Sequence, residues 1–203
     1  MESALCHAAD TRGVRLIETM YWDGARVPRW PLHVARLTAG AAALGWAVPA
    51  LEVRGPVGAA ARLRLTLDAF GAVEVEVGAV PAPLAVWRLG LAAERLDSGD
   101  PWLRVKSTRR AVYDRARTEL AAGLDEVVFL NERGEVCDGT ITTLFFDRGA
   151  GLRTPPLACG LLPGVLRAEV NCAEEVLLGR DLPRVQLWVG NALRGMARAV
   201  WAG

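Results

Sequence analysis

One lysine stands among 23 arginines in this chain of 203 residues, and it is Lys106. On a protein surface either cation serves, so the arginine bias has no chemical meaning by itself, and a single surviving lysine has a bland explanation in chance. A lysine whose neutral amine must attack a carbonyl is a different matter. Guanidinium never usefully deprotonates, whereas an amine does so once it is desolvated or set beside other cations. Arg104, Arg109 and Arg110 supply such cations next to Lys106; the competing explanation is a solvated basic patch. Two more groups have chemical potential. The loop from Cys159 to Arg167 combines glycines, backbone N–H groups and a helix start, which favours an anion such as phosphate, although many such loops only turn the chain. Asp138 opens the stretch CDGTITTLFF, where a carboxylate suits a protonated pyridine nitrogen or, more plainly, caps a turn.

The elements that position these residues are legible from periodicity. Residues 14–22 (VRLIETMYW) read as a strand, followed by an Asp23-Gly24 turn and a short return strand. Pro31 to Trp46 reads as a helix with proline in its first turn and Gly45 near its end. RLRLTL and VEVEV alternate strictly around a turn and predict a hairpin. These elements make a smaller α+β lobe over residues 1–80. AVPAPLAV (79–86) then links it to a larger lobe over 87–203 that carries Lys106. In that lobe WRLGLAAERL predicts a strand, and Ser107 or Thr108 is placed to cap a helix in which Val112, Ala116 and Leu120 recur. EVVFLN and EVCDGTITTLFF predict two strands joined at Glu132-Arg133-Gly134. GLLPGVLRAEV predicts a helix with Pro163 at its first position, and VQLWVGNAL a last, closing strand.

Composition narrows the function classes. A net charge of +1 points away from nucleic acid, no apolar run approaches a membrane span, and the first residues lack the basic and apolar regions of a signal peptide, so a cytoplasmic protein is expected. Cys6, Cys137, Cys159 and Cys172 have no metal-binding spacing, and the histidines are His7 and His33 alone, so neither a metal site nor a Ser/His/Asp arrangement is expected.

In their order along the chain, LIETMYWDG, LHVARLTAGAAALG, VKSTRRAVYDRA, DEVVFLNERGEVCDGTITTLFF, LRTPPLACGLLPGVLR and VGNALRG resemble the class IV (fold-type IV) pyridoxal-phosphate aminotransferases and lyases, and most closely the aminodeoxychorismate lyases. The resemblance runs from about residue 14 to residue 198. It implies a two-lobed α+β fold like that of D-amino acid aminotransferase, with pyridoxal 5′-phosphate as cofactor. It places the Schiff-base lysine on Lys106, where composition had already pointed. It also places the acid facing the pyridine nitrogen on Asp138, one carbon shorter than the family's usual glutamate. The phosphate-binding arginine of the H-x-x-R-L motif falls on Arg36, with His33 as its companion. The phosphate cup falls on Val165 and Leu166, and a second phosphate segment on Asn191 and Ala192. Arg109 and Arg194 are candidates for substrate carboxylates, although relatives often carry asparagine at the first of these, and Thr143 also replaces a usual asparagine.

The resemblance further implies a homodimer acting on a small molecule, with the partner completing a wall of the site beside a trimmed smaller lobe. The activity it implies is conversion of 4-amino-4-deoxychorismate to p-aminobenzoate and pyruvate. A class IV transaminase for D- or branched-chain amino acids and a non-catalytic cofactor-binding module are the alternatives.

Overall fold

A computed structural model of the chain describes Leu5 and residues 11–203; Cys6 and His7 lie outside the described residues. Strand β1 (Leu16–Trp22) pairs antiparallel with β2 (Ala61–Leu67), and β2 with β3 (Val73–Gly78). Alternation along β2 sends Ala61, Leu63, Leu65 and Leu67 to one face, where they pack with Met20 and with Leu37, Ala41 and Leu44 of helix α1 (Trp30–Leu44). The opposite face carries Arg62 and Arg64, directly across from Tyr21 and Thr19. Helix α1 ends as its sequence implies, with Gly45 in the left-handed conformation at φ 70° that an L side chain resists. No strand follows the Asp23-Gly24 turn. The Asp23 carboxylate accepts from the Ala25 and Arg26 N–H groups and curls the segment where a short return strand was expected.

The remaining strands form one sheet of eight, in the order β6-β5-β4-β11-β10-β7-β8-β9. Its members are β4 (Val86–Leu96), β5 (Glu126–Asn131), β6 (Val136–Gly139), β7 (Thr143–Asp147), β8 (Arg153–Thr154), β9 (Ala173–Glu174), β10 (Gln186–Asn191) and β11 (Gly195–Trp201). Laid flat, β6 and β7 would stand five strand spacings apart, roughly 24 Å. Three residues join them, and a chain from Gly139 to Thr143 reaches at most roughly 14 Å, so the sheet has to curl. The joint at 140–142 lies at the closure of that curl, directly after Asp138. Mixed helix and sheet, with this curled sheet, is the α+β fold that the sequence implied.

Several boundaries differ from the sequence reading, each for a local reason. CDGTITTLFF is not one strand but two, broken where buried polar contacts hold residues 140–142. Helix α2 (Ala111–Thr118) starts after Arg110 rather than at Ser107 or Thr108. Those residues instead extend the edge of β1: Lys106 O accepts from Ile17 N at 2.8 Å, and Thr108 N donates to Arg15 O at 2.8 Å. Helix α3 (Val165–Val170) has Gly164 at its N-cap, leaving Pro163 one residue outside. The chain does not close at VQLWVGNAL. It turns at Asn191 and returns as β11, which lies parallel to β4 and knits the end of the chain into the sheet's centre.

Candidate active site

A cavity of about 630 Å³ lies between the face of β1 and β2 that carries Arg62 and Arg64, the Lys106 segment, the joint after β6, and the start of α3. Its wall includes all nine residues singled out from sequence: Arg36, Lys106, Arg109, Asp138, Val165, Leu166, Asn191, Ala192 and Arg194. They come from five separate parts of the chain, so this convergence is a property of the fold.

The Lys106 main chain is fixed by its bond to β1, while part of its side chain stays accessible from the cavity. Desolvation, and then the charge of Arg36, bring its amine down from 10.5 to about 7. A substantial neutral fraction is therefore present at physiological pH. Asp138, 6 % exposed, moves the other way, to about 7, chiefly through burial, with a contribution from the charge of Glu126. One of its oxygens, Oδ2, accepts from Leu162 N at 3.2 Å; the other, Oδ1, is buried without a partner. An unpaired buried carboxylate oxygen is costly and suits an N–H donor brought by a ligand.

Arg36 meets Glu18 side-on, with Nε donating to Oε1 at 2.8 Å and Nη2 to Oε2, so that its Nη1 group is not engaged by this pair. The imidazole of His33, one helical turn earlier, places Nδ1 2.6 Å from the same carboxylate. Burial alone would raise the Glu18 carboxyl, but hydrogen bonds from His33 and Arg36 hold it below its ordinary value. Glu18 thus locks Arg36 in one rotamer against the cavity. Gly164 is required at the α3 entrance, since a Cβ there would fall 2.5 Å from Thr143 Oγ1. The Val165 and Leu166 N–H groups begin the helix and have no acceptor within it. Asn191 serves differently from a ligand-binding side chain. Its Oδ1 accepts from the Leu193 and Arg194 N–H groups and its Nδ2 donates to Ile141 O, so it shapes the turn that carries Ala192. Arg109 lies over the Trp102 ring at 4.8 Å and Arg194 over Trp87 at 5.5 Å, and both guanidinium groups are oriented by stacking.

Residues 15–200 match the family model for amino-transferase class IV. The chain belongs to that family. A Mesorhizobium loti protein provisionally assigned as an amino-acid aminotransferase is 42% identical over 93% of this chain and 100% of its own, with a TM-score of 0.85. The 4-amino-4-deoxychorismate lyase from Pseudomonas aeruginosa shares the fold at 20% identity, with a TM-score of 0.73 over 92% of this chain and 83% of that one. So does a hypothetical aminotransferase from Mycobacterium tuberculosis solved in its PLP-bound form, at 24% identity and a TM-score of 0.76 over 98% and 86%. No curated protein matches.

In and around this cavity, the sequence reading passed over Glu18, Glu126, Tyr113, Arg62 and Arg64. Glu18 and Glu126 each stand in a largely apolar strand segment, LIETMYW and EVVFLN, and a carboxylate buried on such a strand needs partners. That signal was available. The hairpin arginines alternate regularly with leucines, a pattern that predicts the hairpin but not what covers its polar face, and only the neighbouring elements turn that face into a cavity wall.

The two opposed shifts predict an unusual pH profile for the cofactor-free protein. Between about 4 and 7 the folded chain holds a proton on Asp138 that the unfolded chain has lost, so this group's contribution to stability falls as pH rises. Between about 7 and 10.5 the unfolded chain holds a proton on Lys106 that the folded chain has lost, so stability then rises. Thermal unfolding from pH 4 to 10 should show a minimum near 7, and Lys106→Met should remove the rise on its alkaline side. The same rise in that variant would count against the lowered amine.

Proposed function

We propose that this class IV protein binds pyridoxal 5′-phosphate covalently through Lys106 and converts 4-amino-4-deoxychorismate to p-aminobenzoate and pyruvate. The observation that carries the cofactor assignment is the pairing, in one cavity, of a lysine amine lowered to about 7 with the unpartnered Asp138 Oδ1. Arg36, the Val165 and Leu166 N–H groups and the Asn191-Ala192 turn would receive the phosphate. Asp138 Oδ1 would accept the N–H of the ring. When bound, the cofactor supplies a protonated pyridine ring that draws off the electron pair released beside the substrate nitrogen.

The protein's own groups do the rest. Lys106, its amine lowered by burial and by the charge of Arg36, would take the proton from the carbon that bears the substrate amine. The pair left behind forms the new ring double bond as the adjacent C–O bond breaks, enolpyruvate departs with the oxygen, and protonation of its methylene carbon gives pyruvate. Arg109, Arg194 and the hairpin arginines Arg62 and Arg64 line the same cavity and suit a substrate with two carboxylates. Arg62 Nε is buried without a partner.

A transaminase acting on an amino acid is the second reading, favoured by the assignment of the 42% identical relative. One experiment separates them: incubation with pyridoxal phosphate and enzymatically generated aminodeoxychorismate, with p-aminobenzoate followed by its fluorescence. Protein-dependent product is expected. Absence of product, with transfer of an amino group from a D- or branched-chain amino acid to a keto acid, would replace the lyase by the transaminase.

A further inference from the structure

We infer that Glu126, outside the chemistry assigned above, is a positioning residue that sets the place of Asp138 and of the cavity wall that follows it. Glu126 begins β5 and is fully buried. Its Oε1 accepts from Thr140 N at 3.1 Å and from the Thr140 hydroxyl, and its Oε2 from Ile141 N at 3.2 Å and the Thr142 hydroxyl at 3.0 Å. Arg117 Nη1 stands 3.6 Å from Oε1. With Val127 N, 3.2 Å from Oε1, five donors converge on one acid, and an ionised carboxylate can accept from them without supplying a donor of its own. Glutamine would turn N–H donors toward two of them. An apolar residue would take the acceptor away from all five in the interior.

The same three residues are gripped from the other side. Thr140 O accepts from Arg110 Nη2 at 2.9 Å and Ile141 O from Asn191 Nδ2 at 3.1 Å. Gly139, between Asp138 and this joint, has no room for a side chain, since a Cβ would lie 2.9 Å from Cδ of Glu126. The carboxylate is therefore seated against the peptide next to Asp138, at the closure of the curled sheet. Its charge also bears on Asp138, alongside the charges of Lys106 and Arg110 and the Leu162 N–H. Tyr113 faces this group as well, and its hydroxyl is buried without a partner. Glu126 thus couples the position of Asp138 to its affinity for a proton. The geometric part of this inference stands on the chain alone, and its effect on turnover rests on the role proposed for Asp138.

The test is Glu126→Gln in the full chain. Loss of the buried charge should lower the Asp138 titration midpoint, read by carboxyl ¹³C NMR, by about half a pH unit or more. Exchange of the Thr140 and Ile141 amide protons should accelerate by at least about tenfold. In the loaded enzyme kcat should fall by about tenfold or more while KM changes less than about twofold. A variant that only melts earlier, with midpoint, amide exchange and kcat unchanged, would overturn the inference. If Glu126→Gln does not fold, Thr142→Val removes one donor at equal volume. It should speed Ile141 exchange and lower kcat in the same direction, and no change in either quantity would overturn the inference equally. The NMR and exchange readouts need no substrate. If they behave as expected while the wild type releases no p-aminobenzoate, the lyase reading fails and this one stands.

Discussion

Replacement of Lys106 by alanine is expected to abolish both the visible absorbance of protein-bound pyridoxal phosphate and turnover, to below about one ten-thousandth of wild type. The reason is that no second lysine is available to take over. Lys106 is the chain's single lysine, and the surrounding arginines remain charged at any working pH. The fold should survive, because what ties this residue to β1 is its main-chain carbonyl, which alanine retains. Gel filtration and circular dichroism should therefore match wild type. Added methylamine, which supplies an untethered amine, should recover a small fraction of the rate. Full turnover in Lys106→Ala without added amine would sink the assignment.

The second large effect is expected at Asp138. Asp138→Asn keeps the shape of the side chain but removes the acid and leaves one oxygen to serve either Leu162 N or the ring. The amide either presents an uncharged acceptor to the ring nitrogen or turns a donor toward it, and in both cases the protonated ring loses its counter-charge. Cofactor binding should persist through Lys106 and the phosphate contacts, while kcat should fall on the order of 10²- to 10³-fold. The decisive comparison is between absorbance and rate: retained absorbance with a lost rate is expected, and an undiminished rate would mean that another acid faces the ring. Asp138→Glu adds back the carbon that the family usually carries. It tests whether the shorter side chain is matched to its surroundings, because Leu162 and the Glu126-held joint leave it little freedom.

Much of the site was legible because each residue's chemistry is unusual for its place. A lone lysine in an arginine-rich chain, a histidine and an arginine three apart at a helix start, and a glycine before a helix each carry local information that survives without coordinates. What resisted reading was polar and cooperative. The break between β6 and β7 has no proline and no helical period to announce it, since Thr140, Ile141 and Thr142 are all good strand formers. Strand propensity is overridden there by Glu126, fourteen residues earlier, which collects their N–H and hydroxyl groups. The late start of α2 has the same origin. Ser107 and Thr108 are competent caps, but their backbone is taken by β1, some ninety residues away.

By itself, the sequence determined the α+β class, the hairpin, helix α1 with its glycine cap, and the singling out of Lys106 as the one lysine, because these depend on periodicity and on residue chemistry within a short window. Only the tertiary structure decided that Arg62 and Arg64 face the cavity, that Asn191 holds a turn, that Glu18 fixes Arg36 and that Glu126 seats the segment after Asp138. The physical reason is that a buried charge is tolerated only where several donors converge on it, and such convergence arises from strand order and the curl of the sheet rather than from neighbours along the chain.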